Sequence, residues 1–167
     1  MQMNRLARCA VLTALALALS MAERMLPVTA LIPLPGLRLG LANLVTVFAL
    51  CRLSGKEAVL ILIARCLLGA IGGGMLTSLA FSLTGGLLAL GVMALLLRCP
   101  GLSLVGVCMA GAAAHNVGQI IAAVIVLGGT APVLYLPALL VASVLTGLVT
   151  GIVSMLLVHR VPIKQKN

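Results

Sequence analysis

The chain has 167 residues, of which 63% are apolar and only 8% are charged, whereas soluble domains have about 25% charged residues. This composition excludes a soluble globular protein. The net charge of +9 does not indicate nucleic-acid binding, because one Tyr and two Phe are too few aromatic rings to stack bases. The only acidic residues are Glu23 and Glu57, so paired-carboxylate hydrolysis and Asp-based diphosphate–magnesium sites are excluded.

Six apolar stretches follow one another along the chain, separated by polar residues or by Gly and Pro. About 20 apolar residues cross a bilayer as a helix, and a helix satisfies its own backbone hydrogen bonds there. The sequence therefore predicts an all-α integral membrane protein with a single membrane domain, residues 1–167. Six transmembrane helices are expected at 6–22, 39–53, 58–80, 83–97, 102–127 and 138–158. The second and fourth are short, so they must extend or be covered by neighbouring helices.

The basic residues predict the orientation of these spans. With six alternating spans, only Arg24 and Arg38 fall on one side of the membrane, while Arg65 lies within a span. Cytoplasmic loops collect Lys and Arg, so we expect cytoplasmic N and C termini in the inner (cytoplasmic) membrane. The expected cytoplasmic residues are Arg5, Arg8, Arg52, Lys56, Arg98, Arg160, Lys164 and Lys166. The first span is expected to be retained, because cleaving it as a signal peptide would place the basic loops on inconsistent sides.

The first span carries alanines at every fourth position, which form a smooth ridge that another helix can approach closely. This ridge either packs inside the bundle or docks a partner membrane subunit. Its members are Ala10, Ala14, Ala18 and Ala22. The same pattern in the third span (Gly69, Gly73, Thr77) and the sixth span (Ser143, Gly147, Gly151) predicts internal packing.

The connection from residue 23 to residue 38 contains three prolines and a glycine, which prevent a continuous helix. It is predicted to be an external lid or a re-entrant segment. At its end, Arg38 and Asn43 flank the start of the second helix. The free N–H groups of a helix N-terminus favour an anion there.

Arg65 lies within the third span, about 12 Å from its cytoplasmic end at about 1.5 Å per residue. An intramembrane Arg costs about 2.5 to 3.5 kcal/mol on insertion scales. Its side chain either snorkels back to the cytoplasmic interface or points inward. In the second case it requires backbone carbonyls or an anionic ligand.

The fifth span carries a polar cluster of His115, Asn116 and Gln119 in an otherwise apolar stretch. These side chains either fix helix packing through hydrogen bonds or line a polar cavity that holds a ligand. No metal site is expected, because no acidic residue or CxxC pair completes a ligand set. The segment SGKE, residues 54–57, is not a P-loop. We therefore expect no catalytic residue, no ATP hydrolysis by this chain and no cofactor.

Three stretches resemble a known family. They are PLPGLRLGLANLV (33–45), RCLLGAIGGGMLTSLAFSLTGG (65–86) and GAAAHNVGQ (111–119), the last followed by YLPALL (135–140). Over nearly the whole chain they resemble the Gx transporter family, also labelled heptaprenyl diphosphate synthase component I. That family is similar to the S components of energy-coupling factor (ECF) transporters, which are six-helix membrane proteins that capture small solutes.

The resemblance implies a substrate-binding transporter component with an S-component-like bundle. Its solute would be an anionic vitamin-like, flavin or isoprenoid-type molecule, and separate ATPase subunits would supply the energy. The alanine ridge would dock the transmembrane T subunit, and segment 23–38 would be the lid. We place the binding pocket at Arg38, Asn43, Arg65, His115, Asn116 and Gln119.

Two other functions are compatible with these residues. The synthase label implies a membrane subunit associated with heptaprenyl diphosphate synthase, and the missing Asp-rich motif would make that subunit noncatalytic. A self-sufficient proton-coupled carrier is less favoured, because His115 would be the sole titrating group at mid-depth.

Overall fold

The computed structural model describes residues 2–25, 40–73 and 76–160, and these residues form helices and no strand. This confirms the predicted all-α fold. The α-helices are α1 Gln2–Arg24, α2 Asn43–Arg52, α3 Gly55–Gly73, α4 Leu76–Leu96, α5 Leu104–Leu127 and α6 Leu136–Arg160, and a 3₁₀-helix, Ala131–Tyr135, leads into α6.

Within the described residues, four helical segments are long and apolar enough to cross a membrane, so the chain is a multi-pass membrane protein. They are Arg5–Glu23, Thr77–Leu96, Leu104–Leu127 and Ala131–Arg160. The other two helices differ from these. α2 has 10 residues, which extend about 15 Å against a hydrocarbon core of about 30 Å, and α3 contains three charged residues. The structure thus supports four crossings by length and composition, where the sequence predicted six.

The helices alternate in direction, which places both the start of α1 and the end of α6 at one end of the bundle. Arg5 Nε donates to Glu57 Oε1 over 2.8 Å and joins the first turns of α1 and α3. The guanidinium of Arg52, at the end of α2, donates to the carbonyl of Val158 near the end of α6. We call this the basic end, because it gathers the described residues Arg5, Arg8, Arg52, Lys56, Arg98 and Arg160.

The short helix α2 lies at the centre of the bundle. It contacts all five other α-helices, and every residue from Asn43 to Ala49 is buried. The expectation that this short element must be covered by its neighbours is therefore confirmed. Because α2 begins within the protein, the polar side chain of Asn43 lies in the core.

The predicted break between spans 58–80 and 83–97 is wrong. α3 already ends at Gly73, in a run of glycines that each weaken a helix by about 1 kcal/mol. α4 then continues through the expected interruption. Ser82 and Thr84 do not end it, because each hydroxyl donates over 2.7 Å to the carbonyl four residues earlier.

Of the predicted lid segment 23–38, the structure describes residues 23–25. Glu23 belongs to α1 and is buried, because its carboxylate has hydrogen-bond donors inside the protein. The segment from 26 to 39, which includes Arg38, lies outside the described residues.

The small residues of α6 pack against α5. A Cβ added at Gly147 would lie 2.4 Å from Met109 Cα, and one at Gly151 would lie 2.7 Å from Val105 Cα. Only glycine therefore permits this approach of the two backbones. The internal packing predicted for this ridge is confirmed.

Candidate functional site

Arg65 lies in the middle of α3 with its side chain inside the bundle. It is only 3% exposed. Its Nη1 donates to Ser20 Oγ of α1 over 3.4 Å, while Nε and Nη2 have no hydrogen-bond partner among the described residues. Ser20 lies toward the end of α1 that is opposite the basic end. Arg65 therefore does not snorkel back to the basic residues.

Glu23, which was predicted to belong to the lid, is buried in the last turn of α1. Its carboxylate accepts hydrogen bonds from the backbone N–H of Gly40 over 2.7 Å and of Leu41 over 3.2 Å. It thus ties the last turn of α1 to the residues that lead into α2. The negative charge of Glu23 also attracts the Arg65 guanidinium, although the only salt bridge among the described residues joins Arg5 and Glu57.

His115 and Gln119 occupy one face of α5, one turn apart. Both are 1% exposed, and His115 Nε2 lies 2.6 Å from Gln119 Nε2. They pack against Gly85 of α4, where an added Cβ would lie 2.8 Å from the His115 carbonyl oxygen and 3.0 Å from Gln119 Cγ. The glycine therefore gives these two polar side chains their place between α4 and α5.

Two glycines bring the predicted polar residues together. A Cβ on Gly40 would lie 2.8 Å from Asn43 Nδ2 and 3.1 Å from His115 Cδ2, so this glycine lies between the two side chains. A Cβ on Gly86 would lie 3.3 Å from Arg65 Nη2. Since Gly85 and Gly86 are adjacent in α4, Arg65 and His115 approach the same turn of this helix, on sides about 100° apart. We call Asn43, Arg65, His115 and Gln119 the polar cluster.

Asn116 lies on a different side of α5 from His115. Its Nδ2 donates to the carbonyl of Leu139 in α6 over 2.9 Å, and the residue is fully buried. Of the two roles predicted for the polar residues of the fifth span, helix packing and lining of a cavity, this contact supports helix packing for Asn116. Asn116 is therefore not part of the polar cluster, because its amide faces α6 and not α4.

The polar cluster is rich in donors. Both the amide nitrogen and the amide oxygen of Asn43 lack a hydrogen-bond partner among the described residues, as do two nitrogens of Arg65. Amide, imidazole and guanidinium groups are donors that suit a carboxylate or phosphate. Within the described ranges, no group of three His, Cys, Asp or Glu residues lies close enough to hold a metal ion.

The alanine ridge is exposed on α1. Each of its four members, Ala10, Ala14, Ala18 and Ala22, lies on the outer surface. The opposite face of α1 is buried against the bundle through Cys9, Thr13, Ala16 and Ser20. All four ridge alanines are therefore exposed in the described part of this chain.

Comparison with known proteins gives one family. The model of a family described as heptaprenyl diphosphate synthase component I matches residues 12–157. The chain belongs to this family. No curated protein and no solved structure matches it.

The family match covers most of the candidate site. The region that matches the family of heptaprenyl diphosphate synthase component I is residues 12–157. This region contains the polar cluster, Glu23 and three of the four alanines. The family description names one component of a synthase and does not name a solute.

Proposed function

We propose that this chain is the solute-binding membrane component of a transporter, and that it captures a small anionic solute at the polar cluster. The observation that carries the proposal is that Arg65 is buried with incomplete hydrogen bonding. Its guanidinium is 3% exposed, and two of its three nitrogens lack a hydrogen-bond partner among the described residues. A buried charge without full hydrogen bonding is costly. A ligand carboxylate or phosphate would remove that cost.

The other members of the cluster would orient the solute. Arg65 would supply positive charge and two parallel N–H donors, which match a carboxylate or a phosphate. Asn43 and Gln119 would supply directional hydrogen bonds, with His115 between them. We keep Arg38 as a further anion contact from the segment that precedes α2, and we assign Asn116 to packing between α5 and α6.

The exposed alanine ridge supports a partner in the membrane. By the resemblance to S components of ECF transporters, we propose that a transmembrane T subunit docks there and that separate ATPase subunits supply energy. Replacing Ala14 and Ala18 by Trp should prevent co-purification with a T subunit. The response to solute should not change, because neither alanine contacts the polar cluster.

A thermal-shift screen of the detergent-purified protein tests the solute site. The panel contains flavin mononucleotide, other anionic vitamins and prenyl diphosphates. A ligand at 100 times its dissociation constant stabilises a protein by about 2.7 kcal/mol. The proposal predicts a hit whose shift is lost in Arg65→Gln and kept in Arg98→Gln, a control with the same charge change at an exposed position. A folded protein that responds to no member of the panel would contradict it.

Family membership favours a second candidate function. We propose as the alternative that the chain is a noncatalytic membrane subunit of a heptaprenyl diphosphate synthase. In support, the family description names component I of that enzyme, and the chain contains no Asp for an Asp-rich diphosphate–magnesium motif. The alternative predicts co-purification with the catalytic chain and altered quinone side-chain length after gene deletion. Neither effect is expected of a solute transporter.

A further inference from the structure

A buried negative charge lies beside the polar cluster. Glu23 is 5% exposed and Arg65 is 3% exposed. Among the residues whose burial the structure describes, these two are the only buried residues of the types Asp, Glu, Lys and Arg. One positive and one negative charge therefore share the interior of the described bundle, and their formal charges sum to zero.

The two charges are close together because both meet the same stretch of α1. Arg65 Nη1 donates to Ser20 Oγ over 3.4 Å. Ser20 and Glu23 are three residues apart in α1, and side chains at this spacing are neighbours on one helix face, with about 5–6 Å between their Cβ atoms. Glu23 attracts the guanidinium but forms no salt bridge with it within the described chain. The carboxylate is thus near Arg65 without being its ion-pair partner.

Hydrogen bonds hold the Glu23 carboxylate in place. It accepts from the backbone N–H of Gly40 over 2.7 Å and of Leu41 over 3.2 Å. These N–H groups lie just before the first turn of α2, where a helix N-terminus favours a negative charge. The protein's own carboxylate therefore occupies an anion position at the start of α2. A solute anion that binds to Arg65 would have this fixed negative charge close to it.

We infer that Glu23 makes the polar cluster select singly charged anions over doubly charged ones. The inference rests on the proposed function, in which an anion binds to Arg65. Each negative charge of the solute is attracted by Arg65 and repelled by Glu23, so a second charge adds little net attraction. Its burial adds a further desolvation cost. A carboxylate or a phosphate diester group therefore suits this site better than a phosphate monoester or a diphosphate.

Methyl phosphate and dimethyl phosphate test the role of charge with little change in size. A phosphate monoester loses its second proton at about pH 6, so at about pH 8 methyl phosphate carries two negative charges and dimethyl phosphate carries one. Their dissociation constants are measured by thermal-shift titration of the full chain in a nonionic detergent. The wild type should prefer dimethyl phosphate at about pH 8 and lose this preference at about pH 5, where each compound carries one charge. A positive charge on His115 at the lower pH would act on both compounds alike.

Glu23→Gln keeps the shape of the side chain and removes its charge. At a separation of about 10 Å and an effective dielectric constant of about 20, one unit charge changes the affinity for another by about tenfold. We therefore expect Glu23→Gln to tighten binding of dimethyl phosphate about tenfold and of methyl phosphate about a hundredfold. The matched control is Glu57→Gln, which removes the same charge at the basic end, where Arg5 binds it. It should leave the ratio of the two dissociation constants unchanged.

Two results would overturn the inference. One is an equal change in affinity for both compounds in folded Glu23→Gln, because a purely structural role of Glu23 does not distinguish one charge from two. The other is a wild type that binds methyl phosphate as tightly at about pH 8 as at about pH 5, a measurement that depends on no variant. Arg65→Gln separates this failure from failure of the proposed function. If Arg65→Gln binds both compounds as the wild type does, the proposed function fails as well, whereas Arg65-dependent binding without charge selection overturns the role of Glu23 alone.

Discussion

Replacing Arg65 by Met should stabilise the protein without ligand and remove its response to anions. Met is similar in length and carries no charge. Arg65 makes one long hydrogen bond of 3.4 Å to Ser20, and its Nε and Nη2 lack partners among the described residues. A residue that costs stability until a ligand arrives is typical of a binding site.

The expected magnitude follows from these contacts. Each buried donor without a partner costs about 1–3 kcal/mol, and the two on Arg65 outweigh the loss of the Ser20 bond, worth about 1 kcal/mol. The lost attraction to Glu23 offsets part of the gain. We expect Arg65→Met to raise the free energy of unfolding by about 1–3 kcal/mol, consistent with replacement of other buried charges. This corresponds to a Tm increase of roughly 2–12 °C.

The assay is thermal unfolding in detergent followed by circular dichroism, with and without the anion that stabilises the native protein most. Arg98→Met is the control, because an exposed substitution of this kind changes stability by about 0.5 kcal/mol or less. Glu23→Gln in the Arg65→Met background measures how much of the effect comes from the Glu23 charge. The reasoning is refuted if Arg65→Met lowers Tm while the anion response persists, since Arg65 would then be structural.

Three further substitutions test the packing and the basic end. Gly147→Ala should destabilise the protein by about 1–3 kcal/mol, because the added Cβ meets the α5 backbone. Its control is Gly91→Ala, which should stabilise the protein by up to about 1 kcal/mol, because the space around its Cβ is open. Equal Tm changes for the two variants would contradict the α5–α6 contact. Asn116→Leu should lower Tm, because the bond to Leu139 is lost, without changing solute affinity; a large affinity loss in folded protein would return Asn116 to the site. The hydrogen bond from Arg5 lowers the pKa of Glu57 in the folded protein. The carboxylate therefore stabilises the fold at any pH above the pKa that Glu57 has in the unfolded chain. This contribution is lost as the pH falls through the lowered pKa of the folded protein. The Tm difference between wild type and Glu57→Gln should therefore be present at neutral pH and disappear in acid, and a difference that grows in acid would have the wrong sign.

The all-α fold and the burial of α2 followed from the sequence because they depend on apolar length, whereas four helical segments of the described residues, and not the predicted six, are long and apolar enough to cross a membrane. A 15-residue stretch cannot cross a bilayer without help, and α2 is covered by its neighbours as that argument requires. The break between α3 and α4 did not follow. Ser82 and Thr84 are typical of interruptions, and only the structure shows that their hydroxyls bond back to the same helix.

The candidate site residues were named from the sequence for a comparable reason. Polar residues in apolar stretches are conspicuous, so Asn43, Arg65, His115 and Gln119 were named as candidates from the sequence alone, and their role in binding stays a prediction. The direction of a side chain depends on tertiary packing, which is why Asn116, beside His115, was assigned to the pocket although it bonds to α6. The burial of Glu23 in α1 was not predicted, because an acidic residue next to a Pro-rich segment is typical of a loop.

The proposed function requires that an anion binds to Arg65. A structure of the protein saturated with its most stabilising anion tests this directly. We expect a carboxylate or phosphate oxygen about 2.7–2.9 Å from Arg65 Nε or Nη2, with Asn43 or Gln119 also in contact. A bound anion outside the polar cluster, with Arg65 still donating only to Ser20, would contradict the central claim.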